Sequence, residues 1–156
     1  MPVEIERKYL IKDTSFLSTL KNGCSIIQGY VSLEEDRVVR VRAKGENAFI
    51  AIKAKLAGIT RWEFQYEIPY KEALEILNNI CLKPLIHKTR YCISENGLTW
   101  EIDIFDEVFK GVVIAEVELE NENSPVTLPS WVGKEVTDDR LYYNAEMVKR
   151  YMQNNL

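Results

Sequence analysis

The run Val3-Glu4-Ile5-Glu6-Arg7-Lys8-Tyr9-Leu10-Ile11 opens the chain with charged and apolar residues in near-perfect alternation. Because alternate side chains of a β-strand share a face, Glu4, Glu6 and Lys8 would line one side of such a strand. Two carboxylates beside an ammonium group suit a divalent metal that carries an anionic substrate. The run therefore predicts a strand and indicates phosphate chemistry on its polar side.

Length and composition indicate a single domain over residues 1–156. That length is enough to bury a hydrophobic core, and the apolar fraction of 46% and charged fraction of 28% are ordinary. The net charge of -4 argues against a nucleic-acid partner, which usually needs a broad basic surface. No segment approaches the roughly 20 consecutive apolar residues of a membrane span, so we expect no membrane partner.

The cysteines and the first residues indicate a reducing compartment. Cys24, Cys81 and Cys92 are odd in number and contain no CxxC pair, which argues against a disulfide framework or a zinc site. The first strand pattern begins at once, so we expect no signal peptide. Together these features predict a cytoplasmic location.

Period-2 alternation dominates the rest of the chain and predicts eight strands and one short extended segment. Asn96-Gly97 is a strong signal for a tight hairpin, and helical periodicity is confined to residues 13–21, 70–80 and 143–153. Strands joined mostly by short turns predict an α+β, mainly antiparallel β fold: an eight-stranded closed β-barrel with a few flanking helices. The predicted strands are 2–11, 25–34, 37–44, 47–56, 60–69, 86–94, 98–106 and 112–120, and the extended segment is 133–136.

The charges on these strands are segregated by sign. Basic side chains share a face on the third strand (Arg40, Arg42), the fourth (Lys53) and the sixth (Lys88, Arg90), whereas the first, seventh and eighth strands carry acidic rows. One interpretation is that every charged face simply meets water. A solvated surface, however, usually mixes signs to limit repulsion between neighbours. Segregation therefore favours a barrel with a polar lumen, whose apolar faces turn outward onto helices and loops.

The same residues resemble the motifs of the CYTH superfamily, the triphosphate tunnel metalloenzymes. Glu4-Ile5-Glu6-Arg7-Lys8 is similar to the ExExK signature of that family. Other segments resemble its later motifs in the expected order, although Gln65 stands where many members carry an acidic residue. These segments are Gln28-Gly29-Tyr30, Arg40-Val41-Arg42, Ile52-Lys53, Arg61-Trp62-Glu63, Lys88-Thr89-Arg90-Tyr91, Glu101-Ile102-Asp103, Glu116-Val117-Glu118-Leu119 and Tyr142-Tyr143-Asn144.

The resemblance implies a tunnel that accepts a small triphosphate substrate and requires Mg²⁺ or Mn²⁺. It favours a metal-dependent triphosphatase that hydrolyses inorganic tripolyphosphate, since the short chain leaves little material for a nucleoside pocket. A class IV-type adenylyl cyclase that makes cyclic AMP from ATP, a thiamine or nucleoside triphosphatase, and a non-catalytic polyphosphate-binding module stay open as alternatives. A homodimer also stays open.

Side-chain chemistry assigns a role to each motif residue. Carboxylates are the ligands that hard divalent cations prefer, and arginine and lysine grip phosphate oxygens as a fork and as a point charge. The expected metal ligands are Glu4, Glu6, Glu116 and Glu118, and the expected substrate-binding residues are Lys8, Arg40, Arg42, Lys53, Lys88 and Arg90.

Two further pairs complete the expected site. Lys53 and Tyr30 are the catalytic candidates, because the resemblance implies that a lysine–tyrosine pair positions or activates the attacking water. Glu63 and Asp103 are secondary candidates that would orient that water or a neighbouring lysine. His87 has the opposite parity to the basic residues of its strand, so we expect it outside the site.

Overall fold

The computed structural model describes residues 2–155, in which nine β-strands form one antiparallel sheet. The predicted hairpin at Asn96-Gly97 is confirmed, and both residues have positive φ, as a tight two-residue turn requires. The strands are β1 (Val3–Ile11), β2 (Cys24–Glu34), β3 (Arg37–Lys44), β4 (Asn47–Ala57), β5 (Thr60–Glu67), β6 (Leu82–Glu95), β7 (Leu98–Phe105), β8 (Val113–Glu118) and β9 (Val132–Glu135).

Eight of these strands close into a barrel, which confirms the predicted fold class. The ring runs β1-β5-β4-β3-β2-β6-β7-β8 and returns to β1. It closes because the start of β1 pairs with β5, with Glu4 opposite Arg61, while the rest of β1 pairs with β8, with Lys8 opposite Glu116. β9 adds a short pairing to the end of β1 and lies outside the ring.

Helices occupy the three segments that periodicity indicated, with one difference in type. α1 (Tyr70–Asn79) and α2 (Asn144–Asn154) are α-helices, whereas Thr14–Thr19 is a 3-10 helix. In that short segment the hydroxyls of Ser18 and Thr19 donate to carbonyls three residues earlier, which competes with an α-helical pattern. No helix within residues 2–155 has both the length and the apolar character needed to cross a membrane.

Most of the hydrophobic core lies outside the barrel wall, beneath the helices. Val41 and Ala48, on the outward faces of β3 and β4, pack against Ala73 and Leu77 of α1. A second cluster covers β1, β7 and β8. It consists of Ile5, Tyr9, Trp100, Ile102, Ala115, Val117, Leu119, Trp131 and Val132, and the 3-10 helix Thr14–Thr19 packs against it through Phe16 and Leu17.

The C-terminal helix α2 closes one end of the barrel. Ile86, Phe105 and Ile114 have the same strand parity as the lumen-facing charges, and they form a buried cluster with Met147 and Val148 of α2. The lumen therefore ends in an apolar plug at this side. The polar part of the lumen lies between this plug and the opposite opening.

Because α1 packs against the outside of the barrel, substitutions at two residues of this segment should destabilise the protein to different extents. Leu77 is 1% exposed and Ile80, at the end of the helix, is 61% exposed. Leu77→Ala should lower the free energy of unfolding by about 2–4 kcal/mol because it leaves a cavity, and Ile80→Ala by less than about 0.5 kcal/mol. Urea denaturation of both variants measures the difference, and equal losses would contradict the placement of α1.

Candidate active site

The lumen contains a cavity of about 520 Å³ with a strongly charged wall. All residues of the sequence-predicted site line it except Asp103, which is fully buried and contacts two of the lining cations. His87 does not line this cavity, as its parity predicted. The predicted residues in the wall are Glu4, Glu6, Lys8, Tyr30, Arg40, Arg42, Lys53, Glu63, Lys88, Arg90, Glu116 and Glu118.

Lys8 lies between two carboxylates, one on its own strand β1 and one on the neighbouring strand β8. Its Nζ lies 2.7 Å from Oε1 of Glu116 and 3.2 Å from Oε1 of Glu6. Burial disfavours the ammonium form, but the two carboxylates outweigh burial and raise the pKa of Lys8. Burial also opposes ionisation of Glu116, yet Lys8 and the more distant Arg90 hold the pKa of Glu116 well below its usual value. This pair is therefore charged at neutral pH.

Lys53 occupies a similar position on the other side of β1. Its Nζ lies 2.7 Å from Oε1 of Glu4 and 3.4 Å from Oε2 of Glu63. Glu63 stands directly opposite Lys53 on β5, so the register itself creates the pair. Although burial disfavours the ionised carboxylate, Lys53, a hydrogen bond with Glu4 and the charge of Arg40 together outweigh burial, and the pKa of Glu63 is lowered.

Asp103 anchors Lys88 and Arg90, the two lumen-facing cations of β6. Arg90 donates from Nε and Nη2 to the two oxygens of Asp103 at 2.7 and 2.8 Å, a bidentate pair. Lys88 Nζ lies 2.7 Å from the same carboxylate. Glu101, which sequence reasoning did not include in the site, accepts a hydrogen bond of 2.8 Å from Nη1 of Arg90. The signal that could have identified Glu101 is its strand parity, which is the same as that of Asp103.

Arg40 and Arg42 of β3 differ from the other four predicted substrate-binding cations, each of which has a carboxylate partner. Within residues 2–155, neither Arg40 nor Arg42 has a carboxylate within ion-pair distance. Arg40 donates only a long bond of 3.4 Å to Gln65, and its buried Nε has no hydrogen-bond partner. Burial, then repulsion by Arg40 and Arg90, lowers the pKa of Arg42 to about 9. The wall thus carries uncompensated positive charge at this point.

A buried amide network ties these cations to the plug, and sequence reasoning did not assign it to the site. Gln28 is fully buried and accepts from Nε of Arg42 at 2.9 Å. Its amide nitrogen donates to Oδ1 of Asn144, at the start of α2, at 3.1 Å. Lys88 donates to the same oxygen at 2.9 Å. Strand parity could not have indicated Asn144, because it is the first residue of a helix; the resembling segment Tyr142-Tyr143-Asn144 was the one signal in the sequence.

Tyr30 and Lys53, the proposed catalytic pair, have separate partners. The Tyr30 hydroxyl accepts a hydrogen bond of 3.2 Å from Gln28, and its ring packs in the apolar cluster beneath α2. Lys53 contacts carboxylates of β1 and β5. Both side chains line the same cavity, Tyr30 on the arginine side and Lys53 on the acidic side.

The acidic side of the cavity has the donor chemistry of a divalent-cation site. Glu6 stands directly opposite Glu118 across β1 and β8, a like-charge pair that is destabilising by itself. Burial, then Glu116, raises the pKa of Glu6, and burial, then Glu4 and Glu63, raises the pKa of Glu118. Within residues 2–155 no three acidic, histidine or cysteine side chains already converge as a metal cluster. The carboxylates therefore fit a cation chemically, while lysines hold three of the four candidate ligands: Glu4, Glu6 and Glu116.

Comparison with known proteins identifies the class that this barrel and its charged lumen define. The chain belongs to the CYTH domain family, whose model matches residues 2–151.

Among its relatives is a protein named inorganic triphosphatase from Acetivibrio thermocellus, which is 42% identical over 99% of this chain and 98% of the relative. Another inorganic triphosphatase, from Nitrosomonas europaea, is 30% identical over 92% of this chain and 95% of the relative. The fold is similar to a crystal structure of an inorganic triphosphatase, with a TM-score of 0.65, 24% identity and coverage of 93% of both chains.

The surroundings of Lys88 predict proton uptake when a polyanion binds. Burial, assisted by Arg42 and Arg90 and opposed by Asp103, lowers the pKa of Lys88 to about 7. A polyanion in the cavity would favour the ammonium form and raise this pKa. At pH 8 without metal, tripolyphosphate binding should therefore take up more protons in the wild type than in Lys88→Met.

Calorimetric titration in two buffers of different ionisation enthalpy measures this difference. The variant serves as the control, because the protonation of the ligand contributes equally to both proteins. Equal proton uptake by the wild type and Lys88→Met would contradict a neutral fraction of Lys88 in the free protein.

Proposed function

We propose that this chain is a divalent-metal-dependent inorganic triphosphatase that hydrolyses tripolyphosphate to pyrophosphate and phosphate. The observation that carries the proposal is the pair Arg40 and Arg42, a buried and a half-buried cation without a carboxylate partner in residues 2–155, inside a cavity with acidic residues opposite. Uncompensated buried charge is costly, by several kcal/mol per ion. A bound polyanion offsets that cost, which is why this arrangement supports a triphosphate substrate.

The residues of β1 and β8 support the choice of a metal-dependent reaction. Glu4, Glu6, Glu116 and Glu118 would hold Mg²⁺ or Mn²⁺, since these ions prefer carboxylate oxygens and keep part of their water shell. A divalent cation supplies charge neutralisation on phosphate oxygens and lowers the pKa of a bound water. Pure anion capture does not require these carboxylates, so their presence favours an enzyme over a binding module.

The cavity wall favours an inorganic triphosphate over a nucleotide. Among the described residues, its aromatic side chains are Tyr30 and Tyr143, and the ring of each already has a packing partner. The ring of Tyr30 packs under α2, and the ring of Tyr143 lies beneath the guanidinium of Arg61, 4.7 Å away. A cyclase or nucleoside triphosphatase would need a site for the base, commonly with stacking.

Catalysis would then depend mainly on positioning and on charge stabilisation, as phosphoryl transfer generally does. Arg40, Arg42, Lys88 and Arg90 would hold the phosphate oxygens from the basic side. Lys8 and Lys53 stand at the boundary with the acidic side and can shift from carboxylate to phosphate.

On the acidic side, Lys53 is our candidate for placing the attacking water, with Glu63 orienting the lysine. Asp103 would fix the positions of Lys88 and Arg90. Tyr30 would act at the opposite side, through its hydroxyl beside Gln28. We also propose that residues 1–156 act as one domain in the cytoplasm.

Product analysis separates the candidate functions. The protein is incubated with tripolyphosphate, ATP or thiamine triphosphate in the presence of Mg²⁺ or Mn²⁺, and phosphate, pyrophosphate and cyclic AMP are measured. We expect phosphate and pyrophosphate in equal amounts from tripolyphosphate, and no turnover after chelation of the metal. Cyclic AMP from ATP would select the cyclase, and binding without turnover of any triphosphate would select the binding module.

Two substitutions test the assigned roles against a matched control. Glu6→Gln and Lys53→Met keep the size of each side chain and remove its charge, so each should lower kcat by about two to three orders of magnitude. Lys71→Met removes a lysine from the exposed surface of α1 and should leave kcat unchanged. Wild-type rates for both lumen variants, in folded protein, would refute the site.

A further inference from the structure

The side-chain amide of Asn144 lies beside the plugged end of the lumen and bonds to two neighbouring strands. Asn144 is the first residue of α2 and lines the cavity. Its Oδ1 accepts hydrogen bonds from Nε2 of Gln28 on β2 at 3.1 Å and from Nζ of Lys88 on β6 at 2.9 Å. Both lone pairs of this oxygen are therefore engaged by the protein itself.

The orientation of the Asn144 amide is determined by Arg42, two hydrogen bonds away. A guanidinium group only donates, so the Gln28 atom that bonds to Nε of Arg42 at 2.9 Å is the oxygen. The nitrogen of Gln28 then faces Asn144 and requires an acceptor there, which is Oδ1. Exchange of the oxygen and nitrogen positions in Asn144 would break this chain of bonds. Nδ2 of Asn144 therefore lies on the other edge of its amide.

The nitrogen of Asn144 differs from that of Gln28 because it has no hydrogen-bond partner among the described residues. Nε2 of Gln28 donates to Asn144 and to the hydroxyl of Tyr30, so both of its hydrogens are used. The enclosed side-chain polar atoms that lack a partner in this part of the chain are Nε of Arg40 and Nε1 of Trp100. Nδ2 of Asn144 is not one of them, so it is an accessible donor in a residue that lines the cavity.

We propose that Nδ2 of Asn144 donates a hydrogen bond to an oxygen of the terminal phosphate of the substrate. This inference rests on the proposed function and assigns one more contact to the same polyanion. Phosphate oxygens accept hydrogen bonds, and a bond to an ionised acceptor is stronger than one between neutral groups. The contact would stand next to Lys88, which bonds to the same amide.

The chemistry of this position favours an amide over the other side chains. Repulsion by Arg42 and Arg90 already disfavours the charged form of Lys88, so another cation would add to that repulsion. A neutral donor binds a phosphate oxygen without this cost. An amide also accepts from Gln28 and Lys88 with its oxygen, whereas an aspartate could not donate and an alanine could do neither.

A double-mutant cycle separates direct binding by Asn144 from positioning of Lys88. The affinity of the metal-free protein for tripolyphosphate is measured at pH 8 by calorimetry in the wild type, Asn144→Ala, Lys88→Met and the double variant. We expect Asn144→Ala to weaken binding about tenfold or more, as loss of a hydrogen bond to a charged group usually does. The loss should be equal with and without Lys88, because independent contacts are additive.

The matched control for this cycle is Asn154→Ala. Asn154 is an exposed asparagine at the other end of α2 and does not line the cavity. Its substitution should leave the affinity unchanged. If the effect of Asn144→Ala disappears in the Lys88→Met background, Asn144 acts through Lys88 alone and the inference is overturned.

Nuclear magnetic resonance of the wild type tests the hydrogen bond in an unaltered site. In protein labelled with ¹⁵N asparagine, the side-chain amide signals of Asn144 are those missing from Asn144→Asp, which keeps the shape of the side chain. Saturating tripolyphosphate should move one of these proton signals downfield and slow its exchange with water, while the amide signals of Asn154 stay unchanged.

The outcomes distinguish this inference from the proposed function. Tripolyphosphate that binds and leaves the amide signals of Asn144 unaltered would overturn the inference while the proposed hydrolysis stands. A wild type that neither binds nor hydrolyses tripolyphosphate would overturn the proposed function, and the inference with it.

Discussion

The structure depends on one constraint: a ring of ionised side chains is placed inside a closed sheet, where each charge must find a counter-ion. Lys8 with Glu116, Lys53 with Glu4 and Arg90 with Asp103 each satisfy that constraint at 2.7 Å. Removal of such ions from water costs several kcal/mol apiece, and well-formed pairs offset most of it. The apolar residues must then pack outside the wall, which explains why the helices cover the barrel rather than fill it.

Where that balance is incomplete, the molecule has an electrostatic imbalance at each side of the lumen. Arg40 and Arg42 leave positive charge unmatched on β3, and Glu6 opposite Glu118 leaves negative charge crowded between β1 and β8. A polyanion and a cation would correct the two imbalances together. The burial of these unpaired charges is unfavourable in the free protein. It would favour binding of an anion together with a cation, since the two ligands neutralise the two sides.

The sequence was sufficient for the strands and for the face that most of the predicted site residues take on them. Parity alone places Arg42 and Glu118 on the lumen side, because the strand period fixes which face each side chain takes. The same reasoning could not find Asn144, whose place depends on how α2 packs after the barrel has formed. It also could not tell that Lys8 and Lys53 bond to carboxylates of neighbouring strands, since register between distant segments is set by tertiary pairing. Whether α2 crosses or flanks the opening was undetermined for the same reason.

The apolar plug formed by α2 closes the lumen at one side. One terminus of a linear phosphate chain would rest at this closed end, beside Gln28 and Asn144. A lumen closed in this way would discriminate between polyphosphate chains by length, because the position of the innermost phosphate would determine which bond is cleaved.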